Sequence, residues 1–445
     1  MNKQAFSISI GELAERGVKN IPPEALITSH LVYSSPATLS YNSPGAQGFG
    51  VKRASLAIPE SVELVVSPAC CGRNSTIEGG EAGFSDKIFF LRMDETDLVT
   101  GRHLTKIPRA VKEIADFYKP RPHVVVLCVT CADALLGTDM ERVCRRAQAE
   151  NPGLCVIPTY MYALTRESIK PPMVAVRKSI YSLLDKPKRE TGNFASQKLS
   201  KQNAVNILGY FAPFFDTSEL YAILRQLGFD KINEISRCKS FEQYKTMAEA
   251  ELNLVLHAEA NLAAESLRQR LGTPYIELKR LYQPDKIKKQ YELFAAALDK
   301  TVDTAEFYEA TRDAVQKFKQ KYAGASFSFG QTLNGEPFEM ALAFARFGFQ
   351  IDAIFSNLDE SSYPYIRQLA QVSPKTRLYL PASPTMLNFE IGEISSTFSV
   401  GRDVGYWLPA SVNVAWNSEK QPFGFDGLEK LLGALDTAFE GRAKK

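Results

Sequence analysis

The chain has few histidines, almost no net charge and no long hydrophobic run. It contains 4 histidines among 445 residues, and its formal net charge is +3. No segment approaches the about 18 consecutive apolar residues of a membrane-spanning helix. The start MNKQAFSISIGELAERG has neither a basic n-region nor a long apolar h-region. The sequence therefore predicts no membrane span, no signal peptide and no nucleic-acid partner, and it favours a cytoplasmic protein.

The cysteines are too few and too scattered for a disulfide framework, but three of them are placed alike. Cys70 and Cys71 in SPACCGRNS, and Cys131 in VLCVTCADALLGTDM, each follow an apolar, strand-like run. We predict that Val62–Val66 and Val124–Leu127 are neighbouring parallel strands whose carboxyl ends bring these cysteines together. Thiolates at such an edge suit zinc or an iron-sulfur cluster, and inert thiols are the alternative.

Strand-like and helix-like segments alternate along the chain. KIFFLRM is followed by a loop, DETDLVTG, and by an amphipathic helix that ends before Pro120. The same alternation recurs after a polar linker that begins at about Asp185. We predict an α/β protein of three Rossmann-like domains with mainly parallel sheets. The domains are expected at 1–200, which carries the cysteines, at 201–323, and at 324–445, which ends in a C-terminal helix.

The cysteine segments belong to an ordered set of motifs. SPACCG resembles a glycine-cysteine turn after a first strand, DETDLVTG an E-x-D-I-V-x-G loop, and VTCADALLGTDM an S-E-C-x-x-x-L-I-G-D-D segment. Later blocks match as well: LNLVLHAEANLAAESLRQRLGTPYIEL, GEPFEMALAFARFGFQIDAIFSN and PFGFDGLEKLL. In this order they resemble the nitrogenase component 1 superfamily, which includes nitrogenase α and β chains, cofactor-assembly scaffolds and light-independent tetrapyrrole reductases. The resemblance covers most of the chain, from about Gly45 to Gly441.

The resemblance implies an iron-sulfur cluster bound at a dimer interface. Cys71 and Cys131 match family cluster ligands. Cys70 stands where the family generally has glycine, and it is an extra ligand, a replacement for a missing ligand, or a small buried thiol. The segment YNSPGAQGFGVKRA, where many members carry their first cluster cysteine, has none. The cluster type, 4Fe-4S or 8Fe-7S, therefore stays open.

His257 is a candidate catalytic residue. It ends the strand-like segment ELNLVLHA, where nitrogenase α chains place a cysteine that holds their active-site cofactor. An imidazole there can bind a second metallocofactor, donate a proton to a reduced substrate, or be a hydrogen-bonded histidine at a strand end. Phe423 stands where the second cofactor ligand, a histidine, is expected. This departure disfavours a nitrogenase-type iron-molybdenum cofactor and nitrogen fixation by this chain alone.

The other cysteines and histidines are weaker candidates. Cys128 is expected to lie in the sheet as a small hydrophobe, and His103 to have a solvated or structural role. Three further cysteines are expected to be core or surface thiols: Cys144, Cys155 and Cys238.

No Walker A motif occurs in the sequence. The loop GQTLNGEPFEMA lacks its lysine, and we predict that Gly335 and Pro337 start a helix there with Glu336 and Glu339 in the first turn. The resemblance accordingly implies a separate ATP-hydrolysing iron protein that passes low-potential electrons to the interface cluster. We predict a subunit of an ATP-dependent, oxygen-sensitive, nitrogenase-like reductase, acting as a dimer of like or paired subunits within a heterotetramer, with its substrate open. A non-catalytic scaffold for metallocluster assembly is the main alternative, and a zinc-structured binding protein is another.

Overall fold

The structure, a computed structural model, describes residues 4–25, 54–81, 83–160, 172–185, 203–358, 360–418, 420 and 422–443. Most of the linker expected after Asp185 and all but the last residue of YNSPGAQGFGVKRA lie outside these residues. No helix within the described part of the chain is both long and apolar enough to cross a membrane.

Strands and helices alternate along most of the described chain. The strands are β1 (Ser7–Ser9), β2 (Ser61–Pro68), β3 (Ile88–Met93), β4 (Val124–Val129), β5 (Cys155–Tyr160), β6 (Ala204–Leu208), β7 (Lys231–Glu234), β8 (Leu252–Val255), β9 (Tyr275–Glu277), β10 (Ser326–Gly330), β11 (Gln350–Phe355), β12 (Arg377–Tyr379), β13 (Phe398–Val400) and β14 (Val412–Val414). The helices are α1 (Ile10–Arg16), α2 (Ala69–Glu81), α3 (Glu95–Thr100), α4 (His103–Phe117), α5 (Cys131–Leu136), α6 (Met140–Glu150), α7 (Pro172–Tyr181), α8 (Glu219–Gln226), α9 (Phe241–Lys245), α10 (Asn261–Leu271), α11 (Pro284–Ala296), α12 (Ala305–Lys321), α13 (Pro337–Phe347), α14 (Tyr363–Val372), α15 (Val404–Trp407) and α16 (Gly424–Ala443).

The described strands form three sheets. Two have four strands, in the orders β3-β2-β4-β5 and β7-β6-β8-β9, and one has six, in the order β1-β12-β11-β10-β13-β14. Neighbouring strands are parallel, except that β1 is antiparallel to β12. The prediction of an α/β fold with several mainly parallel sheets is confirmed.

Each sheet has one place where the strand order reverses. These switch points lie between β2 and β4, between β6 and β8, and between β10 and β13. The connections on either side of a switch point leave in opposite directions, which opens a crevice at the carboxyl ends of the two strands. Ligands of open α/β sheets bind in such crevices, so the residues that follow β2, β4, β6 and β8 are candidate site residues.

The described residues divide into two compact units. One is drawn from Pro44–Pro213 and Gly228–Lys279 and contains both four-stranded sheets. The other is drawn from Met1–Ser43, Phe214–Leu227 and Arg280–Lys445 and contains the six-stranded sheet. The three-domain division expected from the sequence stays a prediction.

The cores follow from the composition of the strands. All six residues of β4 are buried, as is typical of a parallel strand covered on both faces. The core of the other unit is rich in aromatic side chains, and the ring of Phe327 lies 4.8 Å from that of Phe344 and 5.0 Å from that of Phe398. Phe423 is buried in the same unit, where it packs edge-on against Phe214.

The segment DETDLVTG is a helix and not the predicted loop. Asp94 caps α3, because its side chain accepts a hydrogen bond from the Asp97 N–H at 2.7 Å while its own N–H donates to the Asp97 carboxylate at 3.3 Å. This reciprocal capping box stabilises a helix of only six residues. Such a helix is too short to show an apolar period, which is why the pattern reading missed it.

The helix predicted at GQTLNGEPFEMA is present as α13, but Gly335 lies outside it and Glu336 is its N-cap, so only Glu339 is in the first turn. Pro337 is its first residue, and the side chain of Glu336 accepts a hydrogen bond from the Glu339 N–H. A carboxylate therefore occupies the helix N-terminus, the place where a nucleotide phosphate binds in phosphate-binding loops.

Candidate functional site

The three cysteines singled out by the sequence follow the two strands of the first switch point. β2 and β4 are neighbouring parallel strands, as predicted, and their last residues are Pro68 and Val129. Cys70 and Cys71 lie in the first turn of α2, and Cys131 is the first residue of α5. The backbone therefore brings all three positions to the same edge of the sheet. The side chain of Cys131 lies outside the described residues.

The side chains of Cys70 and Cys71 form an exposed pair of neighbouring thiols. Their Sγ atoms are 3.9 Å apart. Two thiolates on one tetrahedral metal, each at about 2.3 Å, are separated by about 3.8 Å. The pair therefore fits two ligands of one metal atom. Among the described side chains, no group of three or more His, Cys, Asp and Glu residues could hold a metal ion.

The other described cysteines have different surroundings. Cys128 is buried within β4, as predicted. Cys144 is buried on α6, and desolvation raises the pKa of its thiol to about 12. Burial also raises the pKa values of Cys155 and Cys238. These thiols stay protonated at neutral pH, so they are poor metal ligands compared with an exposed pair.

A buried histidine supports the helix that starts at Cys131. His103 is almost fully buried, and its Nε2 lies 3.1 Å from Oδ1 of Asp133, two residues after the cysteine. Its Nδ1 lies 3.0 Å from the carbonyl oxygen of Asp97. A carbonyl oxygen only accepts, so Nδ1 carries a hydrogen. The Nε2 contact then needs one further proton, either on the imidazole or on the carboxyl group of Asp133.

The surroundings of the pair place both groups in a low-dielectric site. Burial raises the pKa of the Asp133 carboxyl, while the charge and hydrogen bond of His103 oppose this shift. Asp97, in contrast, binds Lys106 at 2.6 Å and Arg102 at 2.8 Å, and these contacts hold the pKa of its carboxyl well below the usual range. Asp97 thus connects the N-terminal ends of α3 and α4 through its side chain, and its carbonyl oxygen contacts His103, the residue that binds Asp133.

Sequence reasoning left the role of His103 open between solvation and structure, and it did not single out Asp133. The two residues are 30 positions apart, and neither belongs to a recognisable spacing motif. The only local signal is an acidic residue two positions after a candidate ligand. A buried partner of this kind orients the element that carries a ligand.

Two substitutions of Asp133 are expected to differ in their effect on the free energy of unfolding, because only one of them keeps a hydrogen-bond partner for His103. Asp133→Ala should lower the free energy of unfolding by about 2 to 3 kcal/mol, because the ring of His103 loses its buried partner. Asp133→Asn should cost less than about 1 kcal/mol, since an amide N–H can donate to a neutral Nε2 without an added proton. Urea unfolding followed by far-ultraviolet circular dichroism measures both. Equal losses in the two variants would contradict the assignment.

His257 lies at the second switch point. It follows β8 by two residues, and 40% of its side chain is exposed. Gly209 follows β6 with a φ of +123°, and a Cβ there would lie 2.8 Å from Cβ of His257. The two strand ends therefore approach each other closely at this histidine. The sequence predicted its position at a strand end, and its role stays a prediction.

Comparison with known proteins identifies the family to which this chain belongs. Residues 46–353 match the family described as nitrogenase component 1 type oxidoreductase. Over 230 residues, the chain is 26% identical to the nitrogenase iron-molybdenum cofactor biosynthesis protein NifE of Klebsiella pneumoniae. This match covers 50% of this chain and 49% of that protein. Over 290 residues, the chain is 22% identical to the nitrogenase molybdenum-iron protein alpha chain of Methanosarcina barkeri. This match covers 63% of this chain and 51% of that protein. The chain thus spans about half the length of these two relatives.

A solved structure is similar over nearly the whole chain. The structure of nitrogenase Cp1 at pH 6.5 superimposes with a TM-score of 0.68 at 14% sequence identity, covering 95% of this chain and 96% of that one. At this identity the likeness shows the fold alone. The family match extends over more than half of the sequence and includes both switch points that carry the cysteines and His257. The chain therefore belongs to the nitrogenase component 1 type oxidoreductase family.

Proposed function

We propose that this chain is a subunit of an ATP-dependent, nitrogenase-like reductase. In this proposal it accepts low-potential electrons from a separate iron protein through an iron-sulfur cluster, and it reduces an unsaturated molecule. The cluster is held by Cys71 and Cys131, with Cys70 as an additional ligand. His257 contacts the bound substrate. The complex acts in the reducing, oxygen-poor setting of a cytoplasm.

The exposed thiol pair at the first switch point carries this proposal. Cys70 and Cys71 present their Sγ atoms 3.9 Å apart at the edge where Cys131 begins α5. Soft thiolates are the preferred protein ligands of iron-sulfur clusters, which store and pass single electrons when bound. The residues of this chain supply two or three ligands. The remaining ligands come from a second subunit.

Exposed apolar side chains at the same edge support a partner subunit. α3 follows the carboxyl end of β3 and α5 follows that of β4, so both helices lie on the side of the cysteines. Val99 on α3 is 87% exposed, and Leu136 on α5 is 50% exposed. Burying these side chains in a subunit interface would stabilise the dimer and shield the thiolates from water.

Charged substitutions on this edge are expected to weaken the dimer. Val99→Asp combined with Leu136→Asp should raise the dimer dissociation constant about 10- to 100-fold, because apolar burial is lost and carboxylates must be desolvated. Sedimentation velocity of the complex measures the change. Phe117→Asp is the matched control, since Phe117 is 77% exposed at the end of α4, on the opposite edge of the sheet. An equal effect of the control would contradict this interface.

The iron protein is proposed as the site of ATP hydrolysis. The chain carries no Walker A motif. At the start of α13, the carboxylate of Glu336 occupies the helix N-terminus, where phosphate-binding loops hold a nucleotide phosphate. Electron delivery must therefore depend on docking of a nucleotide-hydrolysing partner. This arrangement makes turnover require three components: reductant, ATP and the iron protein.

The test starts from protein purified without oxygen, together with any chain that co-purifies. Four or more irons per dimer, matching acid-labile sulfide and a reducible electron paramagnetic resonance signal are expected. Reduction of candidate unsaturated substrates should then need ATP and an iron protein. Zinc alone, or no metal, would contradict the redox function.

A scaffold for metallocluster assembly is the second candidate function. The similarity to NifE of Klebsiella pneumoniae, a cofactor biosynthesis protein by name, favours it. A scaffold should release its metal cluster to an acceptor protein, whereas a reductase subunit should keep its cluster through many turnovers. Iron labelled in the purified complex and followed after mixing with an unlabelled acceptor distinguishes the two.

A further inference from the structure

A cavity of about 330 Å³ lies within the unit that contains both four-stranded sheets. One wall is the segment Leu56–Glu60, which leads into β2, together with Lys87, which directly precedes β3. The other wall consists of Phe211–Pro213, which follow β6, and of residues after β7 that include Ser236 and Lys239. The cavity is therefore bounded by the amino edge of the sheet that contains β2 and by the carboxyl edge of the sheet that contains β6.

This cavity is separate from the edge that carries the cysteines. Cys70 and Cys71 follow the carboxyl end of β2, whereas Glu60 directly precedes its first residue. The strand has 8 residues. At about 3.3 Å per residue, it is about 25 Å long. A small ligand in the cavity would therefore not contact a cluster held by the cysteines.

Two lysine side chains bring positive charge to opposite walls of the cavity. Lys87 is half-buried and Lys239 is exposed. Neither ammonium group forms an ion pair or a hydrogen bond with any residue in the part of the chain that the structure describes. A partly desolvated ammonium group without a partner is unfavourable, and a bound anion that accepts charge-assisted hydrogen bonds removes this cost.

The carboxylate in the lining, that of Glu60, is engaged by the chain itself. Its Oε2 accepts a hydrogen bond from the Phe241 N–H at 3.1 Å and lies 3.4 Å from Nε2 of His123. These contacts hold Glu60 in place and offset part of its negative charge. Glu60 also has a φ of +57°, a left-handed conformation that residues other than glycine rarely adopt. Backbone strain of this kind is concentrated at ligand sites and other functional sites.

Apolar side chains form much of the remaining lining. Ile58 and Ile235 are buried side chains on the two walls. The ring of Phe211 lies 4.7 Å from the guanidinium of Arg177, which is itself held by an ion pair with Glu259 at 2.6 Å. The volume is near the lower end of the about 300 to 1,000 Å³ of small-molecule sites. It therefore suits a molecule the size of a single substituted ring.

We propose that this cavity binds a small organic anion, a carboxylate or a phosphate ester with a short apolar body. Lys87 and Lys239 bind the anionic group from the two walls, and Phe211 and Ile235 contact the apolar body. The site does not depend on the proposed reductase function, because it lies at the opposite end of β2 from the cysteines.

Calorimetric titration of the full chain with phenyl phosphate, benzoate and neutral benzyl alcohol tests the required charge. At low salt we expect at least one anion to bind with a dissociation constant of about 1 mM or below, and the alcohol to bind at least about tenfold more weakly. The tighter anion identifies the anionic group. No binding of either anion at about 10 mM, or equal binding of the alcohol, would overturn the proposal.

Charge-removing variants test the two lysines. Lys87→Met and Lys239→Met should each raise the dissociation constant of the tighter anion about 3- to 10-fold, because a charge-assisted hydrogen bond is lost. Lys112→Met is the matched control, since Lys112 is an exposed residue of α4 outside the cavity lining, and its binding should be unchanged. Unchanged binding in either of the first two variants would overturn the proposal.

Alkylation of Cys238 locates the bound anion without any substitution. Cys238 lines the cavity and is partly buried, whereas Cys70 is exposed at the other end of β2. A saturating anion should slow the reaction of Cys238 with iodoacetamide at least about threefold, because only the unoccupied site reacts freely. The rate at Cys70 should not change. Peptide mass spectrometry measures both rates, and an equal rate at Cys238 with and without the anion would overturn the proposal.

Discussion

Cys71→Ala is expected to remove most of the iron from protein purified without oxygen. Loss of residues that merely support a ligand lowers metal affinity by about 10- to 100-fold, so loss of a ligand should cost at least about tenfold. Cys131→Ala should behave in the same way, because Cys131 lies at the same sheet edge. Iron and acid-labile sulfide per chain, with the electron paramagnetic resonance signal, measure the effect.

Cys144→Ala is the matched control for these variants. Its thiol is buried on α6, and burial raises its pKa to about 12, so it should contribute no metal ligand. Its iron content should equal that of the unmodified protein. Cys70→Ala should lower iron to an intermediate level if both thiols of the pair bind one metal atom. Equal iron content in all four variants would contradict the cluster site.

Gly424→Ala is expected to destabilise the unit that contains the six-stranded sheet. Gly424 begins α16 with a φ of +64°, and a Cβ there would overlap Oε1 of Glu219 and the hydroxyl of Tyr291. The buried Glu219 carboxylate accepts hydrogen bonds from the N–H groups of Phe425 at 2.7 Å and Asp426 at 3.1 Å. Displacing it breaks several buried hydrogen bonds and adds backbone strain, at a cost of about 3 to 5 kcal/mol.

Tryptophan fluorescence measures this loss selectively. The sequence contains two tryptophans, Trp407 and Trp416, and both belong to this unit. The urea midpoint of their transition should fall in Gly424→Ala. Gly433→Ala in the same helix is the control, since a Cβ there meets nothing within 4 Å. It should stabilise the helix by about 0.5 to 1 kcal/mol. Equal midpoints in the two variants would contradict the stabilising role of the Glu219 carboxylate as acceptor for the N–H groups of Phe425 and Asp426.

The cysteine edge was predictable because its signals are local. Each strand is a continuous apolar run, and in a parallel sheet such runs end at the same edge. The neighbouring positions of β2 and β4 therefore followed from the sequence, and so did burial of Cys128 inside β4. The helix α3 was missed, because its stability comes from one pair of capping contacts and not from periodic burial.

The supports around the site were not predictable in this way. Asp133 meets His103 across 30 residues, and Glu259 meets Arg177 across 82 residues. No spacing rule connects such pairs, because they come together only when loops between them close. Their chemistry also depends on burial, which raises the pKa of the Asp133 carboxyl.

Short segments of the sequence were enough to predict the α/β class, the parallel strands and the positions of Cys70, Cys71 and Cys131 after strand ends. Apolar period and strand length are properties of short segments, so they can be recognised in the sequence without knowledge of the fold. The spacing of the thiol pair and the contact between His103 and Asp133 required the folded chain. Each of these depends on distances between atoms that only packing brings within reach.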